Sequence, residues 1–165
     1  MKVEEIFTRE VKSVGRETSA ADAADLMWEA DCGALPVVDE GGRVVGIVTD
    51  RDLCMALALT GQRPEDLPVR TMLPAVLHTC RLADEVRDAL RTMRLHKIRR
   101  LPVVDGAGVL QGMLSFSDLA RVSRPDALAG PADIADEDLS LALKTICARK
   151  PAEAAAPAAP TTAFV

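Results

Sequence analysis

Leu35-Pro36-Val37-Val38-Asp39 returns letter for letter as Leu101-Pro102-Val103-Val104-Asp105, 66 residues further on. Seven residues past each Asp stands a glycine, Gly46 or Gly112, and each opens a short apolar run that closes on a hydroxyl residue. The endings are Thr49-Asp50-Arg51-Asp52-Leu53 and Ser115-Phe116-Ser117-Asp118-Leu119. No gap is needed to lay one stretch on the other. The chain is an internal duplication, and the duplication sets the unit in which every other element has to be read.

Outward from that stretch the match continues. Val3, Ile6, Val11 and Val14 shift onto Val69, Met72, Leu77 and Cys80, all apolar. Val11-Lys12-Ser13-Val14 and Leu77-His78-Thr79-Cys80 alternate apolar with polar, the period of a half-buried strand. Thr18 and Asp84 share a position and accept hydrogen bonds well, so each is expected to cap a helix. Along the helix after Asp84, Val86, Ala89, Leu90 and Met93 fall on one face. Ala20, Ala23, Ala24 and Met27 repeat the spacing with smaller groups.

Pro36 and Pro102 stand near a strand start, where a missing N–H costs least. Asp39-Glu40-Gly41-Gly42-Arg43 and Asp105-Gly106-Ala107-Gly108-Val109 are turn chemistry. They lead into strands ending at Thr49 and Ser115, and second helices are expected over Asp50 to Leu59 and Phe116 to about Val122. The fold class is therefore α+β: two βαββα repeats, residues 3–60 and 69–124, joined by a linker at 61–68 rich in breakers and charge. A unit of roughly 60 residues leaves much apolar surface wet, so the copies should pack on each other.

Past the second copy a further amphipathic helix is expected over 133–149. Asp136, Glu137 and Asp138 suit its start, Lys144 and Arg149 its end, and Leu139, Ala142, Leu143 and Ile146 form its apolar face. The Ala/Pro tail, 150–165, has little to bury and is expected to be disordered.

Composition excludes several functions. Hydrophobic residues make up 48% and aromatics 2%, so the core is aliphatic. A net charge of −5 argues against nucleic acid as a partner, which calls for a basic stripe. No run of 18 apolar residues occurs, so no membrane partner is expected and the location read is cytoplasmic. Cys32, Cys54, Cys80 and Cys147 show neither C-x-x-C spacing nor a nearby His pair. They read as free structural thiols of a reducing compartment, with no metal. His78 and His96 are isolated and read as structural or exposed, and Trp28 as a packing or dimer-interface residue. No nucleophile stands beside a base, and no H-E-x-x-H or Walker loop occurs, so an enzyme is not expected.

The positions that could carry chemistry are Thr49-x-x-Asp52 and Ser115-x-x-Asp118. One reading is a pair of capping boxes. The other uses the same geometry, since free N–H groups and a positive dipole end attract phosphate and a carboxylate can accept both hydroxyls of a ribose.

These element orders, the Leu-Pro-Val-Val-Asp strands and the Gly-apolar-apolar-hydroxyl-x-x-Asp endings resemble a pair of CBS domains, also called a Bateman module, over residues 3 to 122. The resemblance implies two units packed around a pseudo-twofold axis, with two clefts that often hold adenosine compounds. It also implies pairing of modules into homodimers. Carried over, Asp52 and Asp118 hold ribose hydroxyls, while Thr49 and Ser115 contact phosphate or ribose. Backbone around Ala34-Leu35-Pro36 and Arg100-Leu101-Pro102 reads the adenine edge, and Ser13 and Thr79 touch base and sugar. One asymmetry stands out, because Gly33-Ala34 answers to Arg99-Arg100. Those two arginines abut the cleft and can neutralise phosphate, as can Arg51.

The expectation is a stand-alone regulatory module with no required cofactor. AMP, ADP, ATP or S-adenosylmethionine is its regulatory ligand, and its signal passes to an unidentified regulated protein or to its own assembly. The alternative is an interaction scaffold with empty clefts. The helix after the repeats is the expected readout.

Overall fold

The structure, a computed structural model, describes residues 1–130 and 133–148. The first repeat contains β1 (Val14–Gly15), α1 (Ala20–Glu29), β2 (Ala34–Val38), β3 (Val44–Thr49) and α2 (Asp50–Thr60). The second contains β4 (Cys80–Arg81), α3 (Val86–His96), β5 (Arg100–Val104), β6 (Leu110–Ser115) and α4 (Phe116–Val122), and α5 (Asp136–Cys147) follows. Each repeat forms its own three-stranded sheet, β1-β2-β3 or β4-β5-β6, parallel at the first pairing and antiparallel at the second.

The recurring pentapeptide is the central strand of each sheet. Leu35, Val37, Leu101 and Val103 have no exposed surface. β1 reaches only Val37 and Val38, which leaves Pro36 beside an unpaired edge, the setting where a missing N–H is tolerated. The closing Asp builds the turn: Asp39 Oδ1 accepts from the Gly41 and Arg43 N–H groups at 2.9 Å. Asp105 Oδ1 does the same for Ala107 and Val109, also at 2.9 Å.

Three local expectations need correction. The first strands are two residues long and start at Val14 and Cys80, so Ser13 and Thr79 precede them. The helix starts lie one residue later than expected. Ser19 caps α1 by accepting from the Asp22 N–H at 3.0 Å. Thr18 and Asp84 instead close the strand-to-helix turn, accepting from the Gly15 N–H at 3.1 Å and the Arg81 N–H at 2.8 Å. Ala24 and Cys54, read as apolar-face or core positions, are exposed.

The two cores are built by exchange. The first repeat's core takes in Leu67 and Val69, with Met72 and Leu73 packed against it, all from the chain entering the second copy. The second repeat's core takes in Val3 and Phe7, from the N-terminus. The linker thus runs into a core at Leu67, whose carbonyl accepts from the Ala20 N–H at 2.8 Å.

Backbone bonds repeat the exchange reciprocally. Val3 N–H donates to Asp84 O at 3.0 Å and Val69 N–H to Thr18 O at 2.9 Å. The hairpin loops also meet, Val44 N–H donating to Gly108 O and Leu110 N–H to Gly42 O, both at 3.0 Å. Every one of these pairs maps onto the other under the 66-residue shift, which is what a local twofold axis requires.

α5 docks on its own second repeat. Ala142 is buried and Leu139 and Ile146 pack on that core, whereas Leu143, expected on the same face, is exposed. Arg87 pairs with Asp138 at 3.0 Å, and Lys97 Nζ donates to Ala148 O at 3.4 Å. Arg149 and the 150–165 tail lie outside the described residues. On the first repeat the matching helical face stays open among the described residues, and Trp28 is 87% exposed there.

Candidate functional site

Both hydroxyl-x-x-Asp motifs are complete capping boxes. Thr49 Oγ1 accepts from the Asp52 N–H at 3.2 Å while Asp52 Oδ2 accepts from the Thr49 N–H at 2.9 Å and its hydroxyl at 2.7 Å. Ser115 and Asp118 repeat the arrangement at 3.3, 2.8 and 2.6 Å. The caps hold each carboxylate rigidly at a strand-to-helix junction.

Each junction opens onto a hollow that both repeats line. One, of about 390 Å³, brings Thr49, Arg51 and Asp52 of the first repeat to Arg99 and Arg100 of the second. The other, of about 280 Å³, brings Ser115 and Asp118 of the second repeat to Ala34 and Pro36 of the first. Arg100 lines both. Volumes of this order suit a small ligand. Ser13, Thr79 and Pro102 are not among the residues lining either hollow.

The polar positions on the approach to the first strands are Lys12 and His78, one residue before Ser13 and Thr79, and they line one hollow each. Sequence reasoning passed over Lys12 and read His78 as structural or exposed. The available signal was the repeat itself, since Lys12 and His78 are equivalent under the 66-residue shift and both carry ring or ammonium nitrogen. The His78 ring stacks on His96 with centroids 3.6 Å apart, so neither histidine is isolated. Burial first, and His96 second, lower the pKa of His78, so the fold favours its neutral ring. Lys97, two residues before Arg99, lines the Asp52 hollow as well.

The hollows differ in their outer wall. In the second repeat Thr8 adds an edge to β6, exchanging N–H to O bonds with Met113 at 2.9 Å in both directions. Pro74 occupies the equivalent place in the first repeat and has no N–H to give, so Met72, Pro74 and Val76 flank the Asp52 hollow without such a ladder.

All four cysteines are free thiols. Burial, then the Asp84 charge, push the Cys80 thiol up to about 12, which makes it inert at neutral pH. Among the described residues no group of three His, Cys, Asp or Glu side chains is placed to hold a metal, and no helix is long and apolar enough to cross a membrane.

Comparison with known proteins agrees with this architecture. The sequence model of the CBS domain matches residues 3–59 and 67–124. An uncharacterized 17.7 kDa protein of Acidianus ambivalens is 38% identical over 120 residues, covering 73% of this chain and 71% of its own. The CBS domain pair of protein MJ0100, in complex with 5-methylthioadenosine and S-adenosyl-L-methionine, superimposes with a TM-score of 0.67 at 25% identity. The match covers 73% of this chain and 94% of that one. CBSX2 in complex with AMP gives a TM-score of 0.63 at 29% identity, over 73% and 93% of the chains. With a duplicated sheet, a twofold exchange and a matching family model on both halves, the chain belongs to the CBS domain family and forms one CBS pair.

Proposed function

We propose that the chain is a regulatory module, acting by binding rather than by chemistry, that takes an adenine nucleotide in the cleft between its repeats. The observation that carries this reading is the composition of the Asp52 hollow. A capped carboxylate from one repeat faces the Arg99 and Arg100 side chains of the other, so one ligand with a ribose and phosphate touches both units. Ser13, Thr79 and Pro102 do not line that hollow. In this reading the units are residues 3–60 and 69–124, and the module works in the cytoplasm, where thiols stay reduced. The AMP complex of CBSX2 and the S-adenosyl-L-methionine complex of MJ0100 support the ligand class.

The signal leaves through α5. Lys97 lines the Asp52 hollow and also donates to Ala148 O at the end of α5, so a phosphate that draws on Lys97 competes with that contact. Such competition shifts a packing equilibrium by the difference in affinity for its two states. A regulated protein then reads α5 or the chain beyond it. The open α1–α2 face, with Trp28, is the homodimer surface. Trp28→Glu is expected to shift the chain from dimer to monomer in sedimentation velocity; an unchanged profile contradicts that assignment.

A thermal-shift panel of AMP, ADP, ATP and S-adenosylmethionine tests the ligand reading. Saturating nucleotide at 100 times Kd is expected to stabilise by about 2.7 kcal/mol, and Asp52→Asn is expected to abolish the shift. Each capping box satisfies its own hydroxyl and one carboxylate oxygen, and this favours a second reading, a scaffold with empty clefts. On that reading Asp52→Asn lowers stability slightly and no nucleotide shifts either protein.

A further inference from the structure

The two hollows differ in one contact that decides which carboxylate has an oxygen to offer. Asp52 Oδ2 is taken by Thr49, and among the described residues no donor reaches its Oδ1. Asp118, 4% exposed, has Oδ2 taken by Ser115 in the same way, but its Oδ1 accepts from the Arg121 guanidinium. Arg121 lies three residues further along α4. The equivalent position on α2, 66 residues earlier, is Met55, which has no hydrogen to donate.

Charge on the walls differs in the same sense. Around the Asp52 hollow stand Arg51, Lys97, Arg99 and Arg100 against Asp50 and Asp52. Around the Asp118 hollow stand Lys12 and Arg100 against Glu10 and Asp118.

Building on the nucleotide reading above, we propose that each chain binds one nucleotide bearing a polyphosphate, in the Asp52 hollow, and that Arg121 is a built-in occupant of the Asp118 carboxylate. A ribose diol needs a carboxylate oxygen to accept its hydrogens. At Asp118 it must displace a charge-assisted bond whose donor is tethered three residues away, whereas an incoming ligand loses translational and rotational freedom to compete. At Asp52 the oxygen is open and the surrounding cations favour phosphate. Arg121 is 70% exposed, so its removal frees Asp118 without opening a core.

Isothermal titration of the full chain with ATP tests this. The unmodified protein is expected to bind one equivalent per chain. Arg121→Met, which copies the first repeat, is expected to bind two, the second within about tenfold of the first in Kd. Arg121→Leu, which likewise carries no donor, gives the same result if Arg121→Met folds poorly. Met55→Arg, the reverse change, is expected to weaken the Asp52 site by about tenfold or more, the equivalent of one such bond. Two equal sites in the unmodified protein, or one site in both Arg121 variants, overturns the proposal and leaves the nucleotide reading standing. No heat from any of the proteins overturns the nucleotide reading itself.

Discussion

Phe7→Ala is expected to cost about 3–5 kcal/mol, and to loosen the half of the molecule to which Phe7 does not belong in sequence. Phe7 is 8% exposed and sits in the core of the second repeat, with Leu101, Val103 and Leu114 among that core's other members. Truncating it leaves a void that the surrounding aliphatic side chains fill only in part. Native-state hydrogen exchange should show the largest loss of protection in β5 and β6, with β2 and β3 less affected. Were the greatest loss found in β2 and β3, the exchange of lead segments between repeats would be refuted.

A second large effect is expected at Gly112. A Cβ there would stand 2.2 Å from Thr8 O and 2.7 Å from the Phe7 ring. The obstacle is backbone, held by the paired bonds between Thr8 and Met113. Gly112→Ala must therefore push the N-terminal segment off β6, losing about 1–3 kcal/mol to overpacking and about 1 kcal/mol for each bond broken. At the equivalent Gly46 the nearest atom is Leu73 Cδ2 at 2.7 Å, the tip of a side chain that can rotate away. Gly46→Ala is expected to cost only about 1 kcal/mol. Urea unfolding checks both through the midpoint, with the slope unchanged. Equal costs would mean that the two segments are held alike.

Much of this architecture is legible from one repeated pentapeptide. The apolar runs around Val37 and Val103 leave no alternative to buried strands, and the hydroxyl-x-x-Asp endings fix where strands give way to α2 and α4. What the letters do not say is whose core a side chain enters. Val3 and Val69 read as buried from their spacing, but an aliphatic core accepts a valine from either repeat, so the exchange becomes visible only when the chain is followed in space.

The candidate site divides along the same line. Thr49, Arg51, Asp52, Arg99 and Arg100 were readable because caps and cations are local features, and they meet in one hollow. Ser13 and Thr79 were misplaced because alternation over Val11–Val14 and Leu77–Cys80 resembles a strand, whereas pairing begins only at Val14 and Cys80. Lys12 and His78 instead line the two hollows. Arg121 against Met55 stands in plain sight at the repeat offset, but that the guanidinium folds back onto Asp118 depends on a rotamer.

The central claim is that one ligand bridges the two repeats, and hydrogen exchange with and without saturating ATP tests it most directly. Protection is expected to rise together around Thr49–Asp52, on the first repeat, and around Lys97–Arg100, on the second. A rise in only one of these stretches, or in neither while ATP is bound, would contradict a shared cleft.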